Sequence, residues 1–178
     1  MFDLERDLRE FIASSLEGAL EFGAMHLSLD SLDLQLLQAV QVDGSLSNVE
    51  LAERINLSAS QCARRLERLK RDGYIDRVVT VLNPLRFGLT IMVHTSISLR
   101  SHDQETNDAF KAFVLEAPEV LECYAQTGDA DVILKILVRN LSELSQFFDR
   151  LLLHTGGVGA MKSGVVMSTI KQTTALPL

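Results

Sequence analysis

Five cationic side chains, Arg64, Arg65, Arg68, Lys70 and Arg71, lie between Ser58 and Asp72 against only two acids, Glu67 and Asp72. At this density, cations can displace counterions from a phosphate backbone. A planar guanidinium can also take both acceptors of a guanine edge, a contact worth about 1–3 kcal/mol of discrimination. The same stretch opens with Ser58, Ser60 and Gln61, whose short donor and acceptor groups suit base edges in a major groove. Arg68, Lys70, Arg71 and, further on, Arg77 are suited to holding phosphates. This is the chemistry of gripping a nucleic acid rather than of breaking bonds. No Ser/His/Asp set, paired carboxylates or glycine-rich phosphate loop stands out, so no catalytic residue and no cofactor is expected. His26, His94, His102 and His154 are scattered, as are Cys62 and Cys123. No metal site is expected from them, and the two cysteines are expected to be reduced, buried thiols.

Presenting those residues to a duplex requires rigid elements, and the local sequence marks them well. Ser47-Asn48-Val49-Glu50 reads as a capping box, with the serine hydroxyl taking an amide three residues on and the glutamate reaching back. Leu51, Ala52 and Ile55 form its buried face, and Asn56, which tolerates positive φ, suits the turn. Ser58-Ala59-Ser60-Gln61 is a second capping box, opening a helix that buries Cys62, Leu66 and Leu69 and ends at Asp72-Gly73. That projection leaves Ser60, Gln61, Arg64, Arg65 and Arg68 on or near the outer side. Two capped helices at this separation form a helix-turn-helix, whose second helix enters the major groove. A preceding helix is expected over residues 30–43, with Leu32, Leu36, Leu37 and Val40 inward and Asp30 or Ser31 as cap. Tyr74 to Leu82 has strand character.

The texture changes at Leu89. Ile91, Val93, Thr95, Ile97 and Leu99 alternate with Met92, His94, Ser96 and Ser98, the period of a strand. Ala109, Phe110, Phe113, Val114 and Ala117 then follow helical spacing up to Pro118. Val120 to Thr127 and Asp131 to Val138 read as strands joined at Gly128-Asp129. Leu141, Leu144, Phe147, Phe148, Leu151 and Leu152 make another helix, and Val165 to Ile170 a last strand. The order βαββαβ predicts a ferredoxin-like antiparallel sheet with both helices on one face, and an α+β protein overall. The other face holds apolar residues whose exposure would be costly, which favours sheet-to-sheet dimerisation. Residues 1–28 read as an amphipathic helical extension with Leu4, Leu8, Phe11, Ile12, Leu16 and Leu20 on one face. The expected organisation is therefore 1–28 extension, 29–82 DNA-binding domain, 83–88 linker, 89–172 ferredoxin-like domain and 173–178 tail.

Bulk properties agree with this division. A net charge of −7 over 178 residues looks unfavourable for DNA, but it is unevenly spread. Residues 1–28 carry −4 (two bases, six acids), residues 29–88 carry 0 (eight of each), and residues 89–178 carry −3 (seven bases, ten acids). Affinity follows the local basic footprint rather than the chain total. No apolar run reaches the roughly 18 residues of a membrane span. The acidic start MFDLERDLRE is unlike a secretory signal. A cytoplasmic protein that does not associate with membranes is expected.

Several of these features coincide in one family. Leu29-Asp30 with Asp33, Asp43-Gly44-Ser45-Leu46-Ser47, Leu51-Ala52, Leu57-Ser58, Cys62 with Arg64-Arg65, Gly73-Tyr74-Ile75, Leu82-Asn83-Pro84 and Gly128-Asp129-Ala130-Asp131 resemble the Lrp/AsnC (feast/famine) regulators over residues 29 to about 172. The resemblance implies a bacterial or archaeal transcriptional regulator binding double-stranded DNA through its N-terminal domain. It further implies a ferredoxin-like effector domain, dimers commonly assembling to octamers, and response to an amino acid or related metabolite. Gly128, Asp129, Ala130 and Asp131 match the family's turn beside the effector pocket, and Asp129 there would pair with an α-amino group. The residues themselves also fit a plain β-turn. Ala59 and Gln61 stand where family members often have a proline, so a different DNA sequence preference is expected. The N-terminal extension is longer and more apolar than is usual in the family.

An enzymatic alternative, a siroheme-decarboxylase-like protein, shares the two-domain architecture. Those enzymes resemble one another in a histidine- and arginine-rich stretch leading into a Tyr-Asn-x-Trp-Phe type strand. Here Glu122-Cys123-Tyr124-Ala125-Gln126-Thr127 stands in that place, and the chain has no tryptophan. A ligand-binding module with a vestigial DNA-binding domain would have lost the basic helix, which this sequence keeps.

Overall fold

The computed structural model describes residues 29–101 and 103–178. The expected N-terminal extension, residues 1–28, lies outside the described residues. Two compact units emerge, one of residues 29–81 with 171–178 and one of residues 82–170.

In the first unit, α1 (Ser31–Val42), α2 (Asn48–Ile55) and α3 (Ala59–Arg71) enclose a small core. Leu36 and Leu37 of α1 meet Leu51, Ala52 and Ile55 of α2 and Cys62 and Leu69 of α3. Every helix starts on a side-chain cap. Asp30, Ser47 and Ser58 each accept the amide three residues on, and Asp33, Glu50 and Gln61 each return the bond to the cap backbone. These reciprocal bonds satisfy amides that a helix start otherwise leaves open. Asn56 makes the turn between α2 and α3 at φ 55°, the left-handed conformation expected for it. The residues after α3 depart from expectation. Tyr74 to Leu82 forms no strand. Its apolar side chains Val78, Val79, Val81 and Leu82 are exposed. Strand propensity is realised only where a ladder partner exists, and none pairs with this segment in the described chain. Residues 171–178 lie on α1 instead of trailing free. Gln41 bonds the Leu176 backbone in both directions at 2.9 and 3.2 Å, and Gln38 Nε2 donates to the Leu178 carbonyl at 3.0 Å.

The second unit begins with a 3-10 turn, Pro84–Phe87, capped by Asn83 and closed by Gly88 at φ 72°. Then follow β1 (Ile91–Leu99), α4 (Gln104–Glu116), β2 (Val120–Ala125), β3 (Val132–Val138), α5 (Leu141–Thr155) and β4 (Val158–Val165). The strand order is β2-β3-β1-β4, with every neighbouring pair antiparallel. This is the expected βαββαβ arrangement. Residues directly opposed on antiparallel strands share a face. Val93 opposite Ile136, Thr95 opposite Leu134 and Ile97 opposite Val132 put one buried face against Phe110 and Val114 of α4 and Leu144, Phe147 and Leu151 of α5. Phe147 is fully buried, with its ring 5.5 Å from Phe148 and 5.8 Å from Phe113. The opposite face carries Met92, Ile133 and Leu137, half-buried, around a Lys135–Glu122 ion pair of 2.7 Å.

Two expectations need correction here. The last strand is Val158–Val165, not Val165 to Ile170. Its sequence, VGAMKSGV, is glycine-containing and lacks a clean alternation; pairing with the centre of β1 makes it a strand despite weak propensity. Of the two cysteines, Cys62 is buried as expected, but Cys123 is exposed because β2 is the sheet edge. Neither forms a disulfide.

Candidate DNA interface and effector turn

The leading end of α3 is a closed hydrogen-bonded ring. Ser58 Oγ accepts from the Gln61 amide at 3.2 Å and donates to Gln61 Oε1 at 3.0 Å, and it lies 3.1 Å from Ser60 Oγ. Gln61 Oε1 also takes the Ser58 amide at 3.0 Å. The Gln61 side-chain oxygen is thus committed to the cap, which leaves its Nε2 donors for an outside acceptor. Ser58, Ser60 and Gln61 are all exposed.

The five cations behind that ring separate into distinct environments. Arg65 Nη1 donates to Asp30 Oδ2 and Asp33 Oδ1, both at 2.7 Å, and Arg68 Nη2 donates to Asp33 Oδ2. Asp33 is fully buried, so α1 presents to α3 a desolvated carboxylate bonded by two guanidinium groups. Burial by itself would raise the Asp33 carboxyl pKa; the hydrogen bonds from Arg65, the Asp30 amide and Arg68 outweigh it, and the net shift is downward. Asp30 is also lowered, first by the Asp33 amide and then by Arg65. The same bonds to Asp33 and Asp30 raise Arg65. Arg71 and Arg77 are exposed and lie beside their sequence neighbours, Arg71 Nε 3.1 Å from Asp72 and Arg77 Nε 3.7 Å from Asp76. Arg64 and Lys70 are exposed, and among the described residues neither has an acidic partner. Helical projection had grouped Arg64 with Arg65 and Arg68. The structure draws the latter two inward and leaves Arg64 outward. The residue missed by sequence reading is Asp33, whose signal was an acid sharing the α1 stripe with Leu36 and Leu37.

The β2–β3 connection holds Gly128, Asp129, Ala130 and Asp131 together. Gly128 adopts φ 122°, which a side chain would strain. Asp131 is a structural anchor: its Oδ2 accepts the Leu99 amide at 2.7 Å, its amide donates to the Ile97 carbonyl at 3.0 Å, and its carbonyl accepts from Gln126. The Asp129 carbonyl takes the Ser98 hydroxyl at 3.1 Å, while the residue as a whole is exposed. Of the two aspartates, Asp131 fixes the turn and Asp129 faces solvent.

Two family models fit this division. The winged helix-turn-helix DNA-binding model matches residues 29–76, and the Lrp/AsnC ligand-binding domain model matches residues 92–176. The glutamate uptake regulatory protein of Zymomonas mobilis is 38% identical over 152 residues, covering 84% of this chain and 91% of the relative. This chain belongs to the Lrp/AsnC family of transcriptional regulators. The leucine-responsive regulatory protein of Escherichia coli K12 is 34% identical over 148 residues, covering 83% of this chain and 90% of that one. Among solved structures, the L-Met complex of a transcriptional regulator from Neisseria meningitidis superposes with TM-score 0.80 at 36% identity, covering 84% of this chain and 97% of the other. An AsnC family regulator from Agrobacterium tumefaciens gives 0.78 at 34% identity, with coverages of 84% and 97%. The chain is accordingly a DNA-binding regulator of Lrp/AsnC type with a ligand-binding domain. Among the described residues no helix is long and apolar enough to cross a membrane.

Proposed function

We propose that this Lrp/AsnC regulator is a cytoplasmic, non-enzymatic homodimer, assembling further to octamers, that reads DNA with the N-terminal end of α3 and is switched by an amino acid at the Gly128–Asp131 turn. The observation that carries the DNA reading is the division among the arginines. Arg64 stands outward beside the capped Ser58-Ser60-Gln61 end, while Arg65 and Arg68 brace α3 against α1. Arg64 and Gln61 Nε2 then serve base edges, with Ser58 and Ser60 beside them, and Lys70, Arg71 and Arg77 hold phosphates. Arg65 and Arg68 serve this reading by fixing α3, their charge being offset by Asp30 and Asp33.

Dimerisation is supported by the half-buried apolar residues on the open sheet face and by the exposed Val78, Val79, Val81 and Leu82. A two-fold dimer sets two α3 helices on successive major grooves, and higher assembly lets DNA bridge several sites. At the β2–β3 turn, Asp129 would take an α-ammonium and neighbouring backbone amides a carboxylate, with Asp131 holding the loop. The L-Met complex of the Neisseria relative supports an amino acid as ligand. Such a ligand acts by binding one arrangement of the assembly better than another.

The test is a thermal-shift and light-scattering screen of the protein against the common amino acids, followed by DNA binding with each hit. Asp129→Asn should abolish or strongly blunt the ligand-induced change in DNA affinity and leave dimerisation intact. A wild-type response from Asp129→Asn discards the turn as the effector site.

A further inference from the structure

The hydrogen-bonded ring at the start of α3 has a direction, and each of its bonds can be assigned. Gln61 Oε1 lies 3.0 Å from the Ser58 amide nitrogen, and of the two carboxamide heteroatoms only the oxygen can accept that N–H. The Gln61 carboxamide is thereby oriented with its oxygen toward the cap. Ser58 Oγ lies 3.0 Å from the same oxygen and donates to it, which fills both lone pairs of the carbonyl. Ser58 has one hydroxyl proton, and that bond uses it. Its 3.1 Å contact with Ser60 Oγ is then donated by Ser60. With the Gln61 amide as a second donor at 3.2 Å, Ser58 Oγ is saturated.

Two side chains keep spare capacity, of opposite kind. Among the described residues nothing accepts from Gln61 Nε2, so both its N–H donors point outward from the ring. Ser60 Oγ has turned its proton inward and offers only lone pairs. Both residues are exposed, and both lie within the segment that matches the DNA-binding family model. An unconstrained glutamine pairs with adenine bidentately, accepting from N6 and donating to N7. With its oxygen occupied, Gln61 cannot form that pair. Turning the carboxamide over would set NH2 against the Ser58 N–H and break both bonds of the oxygen, so the ring opposes it. A donor-only side chain meets acceptors at guanine N7 and O6 and at thymine O4, whereas cytosine shows only its N4 amine.

We infer that the capping ring makes Gln61 and Ser60 a polarised pair of specificity-determining residues. Gln61 selects a base with a keto oxygen, guanine or thymine, and rejects cytosine; Ser60 selects the exocyclic amine of adenine or cytosine. This assignment rests on α3 being the helix that reads DNA, and it adds the sign of the preference at two positions.

The experiment selects duplexes from a random pool with the full chain, as wild type, Gln61→Glu, Ser60→Ala and Arg64→Ala. Affinities for all four bases at each altered position are then measured by fluorescence anisotropy. Gln61→Glu keeps the capping box, since one carboxylate oxygen takes the place of Oε1, and turns the outward atom from donor to acceptor. One wild-type position should hold guanine or thymine, bound roughly fivefold to a hundredfold more tightly than cytosine there. Gln61→Glu should move that position to cytosine or adenine and leave the others in place. Ser60→Ala should relax a different position, one that holds adenine or cytosine for wild type. Should the added charge of Gln61→Glu abolish binding, Gln61→Met, with neither charge nor donor, should bind keto and cytosine duplexes alike. The assignment is overturned if Gln61→Glu or Ser60→Ala selects the same bases as wild type, if the position that Gln61→Glu changes holds adenine or cytosine for wild type, or if Gln61→Met retains the keto preference. Those results alongside weakened binding by Arg64→Ala count against the pair alone. Wild type enriching no sequence at all would remove α3 as the reading helix, and the pair with it.

Discussion

At the scale of single residues, α3 is held against α1 by one buried carboxylate. Asp33 is buried, and the two guanidinium groups it binds belong to the helix that carries Arg64. The basic composition of α3 was legible in the sequence. Which arginines face outward was not, because that depends on α1 packing beside α3, a contact between residues more than thirty apart in the chain. Asp33 entered the sequence reading only as part of the family resemblance; in the structure it also completes the helix start by accepting the Asp30 amide. Asp33→Asn should destabilise the protein by about 1–3 kcal/mol at neutral pH, as expected for loss of hydrogen bonds to a charged group. Its pH dependence has a definite sign. Asp30 and Asp33 have folded pKa values below the ordinary 3.8, so the stability they supply is complete above that value and is lost as pH falls through the folded values. Denaturation of wild type and Asp33→Asn across pH 7 to 3 should therefore show a gap that narrows toward the acid end. A gap of constant size would deny the ion cluster its role.

At the scale of elements, boundaries governed by local chemistry were readable and those governed by pairing were not. The Ser47 and Ser58 capping boxes and the left-handed Asn56 follow from side chains bonding within a few residues. Asn56→Ala should cost roughly 1 kcal/mol, because alanine lacks the short polar side chain by which asparagine tolerates the left-handed conformation, whereas Asn56→Gly should be close to neutral. Chemical denaturation of the two variants checks this, and equal losses would mean that the side chain rather than the backbone angle matters there. By contrast, residues 74–82 have strand-forming side chains but no ladder, and 158–165 have a ladder with poor strand formers. Strand formation is a property of a pair, and neither outcome could be read from one segment alone. The Gly128–Asp131 turn was visible as a turn; the division of labour between Asp131 and Asp129 required knowing that Leu99 lies beside it.

At the scale of the whole molecule, the change from helical to alternating periodicity after residue 88 announced two kinds of unit, and the family models divide in the same region. The chain's acidic total obscured a neutral stretch, residues 29–88, whose cations gather on α3. That concentration makes the central claim measurable through salt. The most direct test is fluorescence anisotropy of the full chain on a duplex selected from a random pool and on a scrambled control, at several salt concentrations, for wild type and Arg64→Ala. Wild type should prefer the selected duplex, with affinity falling steeply as salt rises. Arg64→Ala should lose about 1–3 kcal/mol of that preference if Arg64 reads a base, or lose affinity evenly on both duplexes with a salt slope smaller by about one if it holds a phosphate. Either result keeps α3 as the reading helix with Arg64 at its face. Identical binding by wild type and Arg64→Ala on both duplexes at every salt concentration would contradict it.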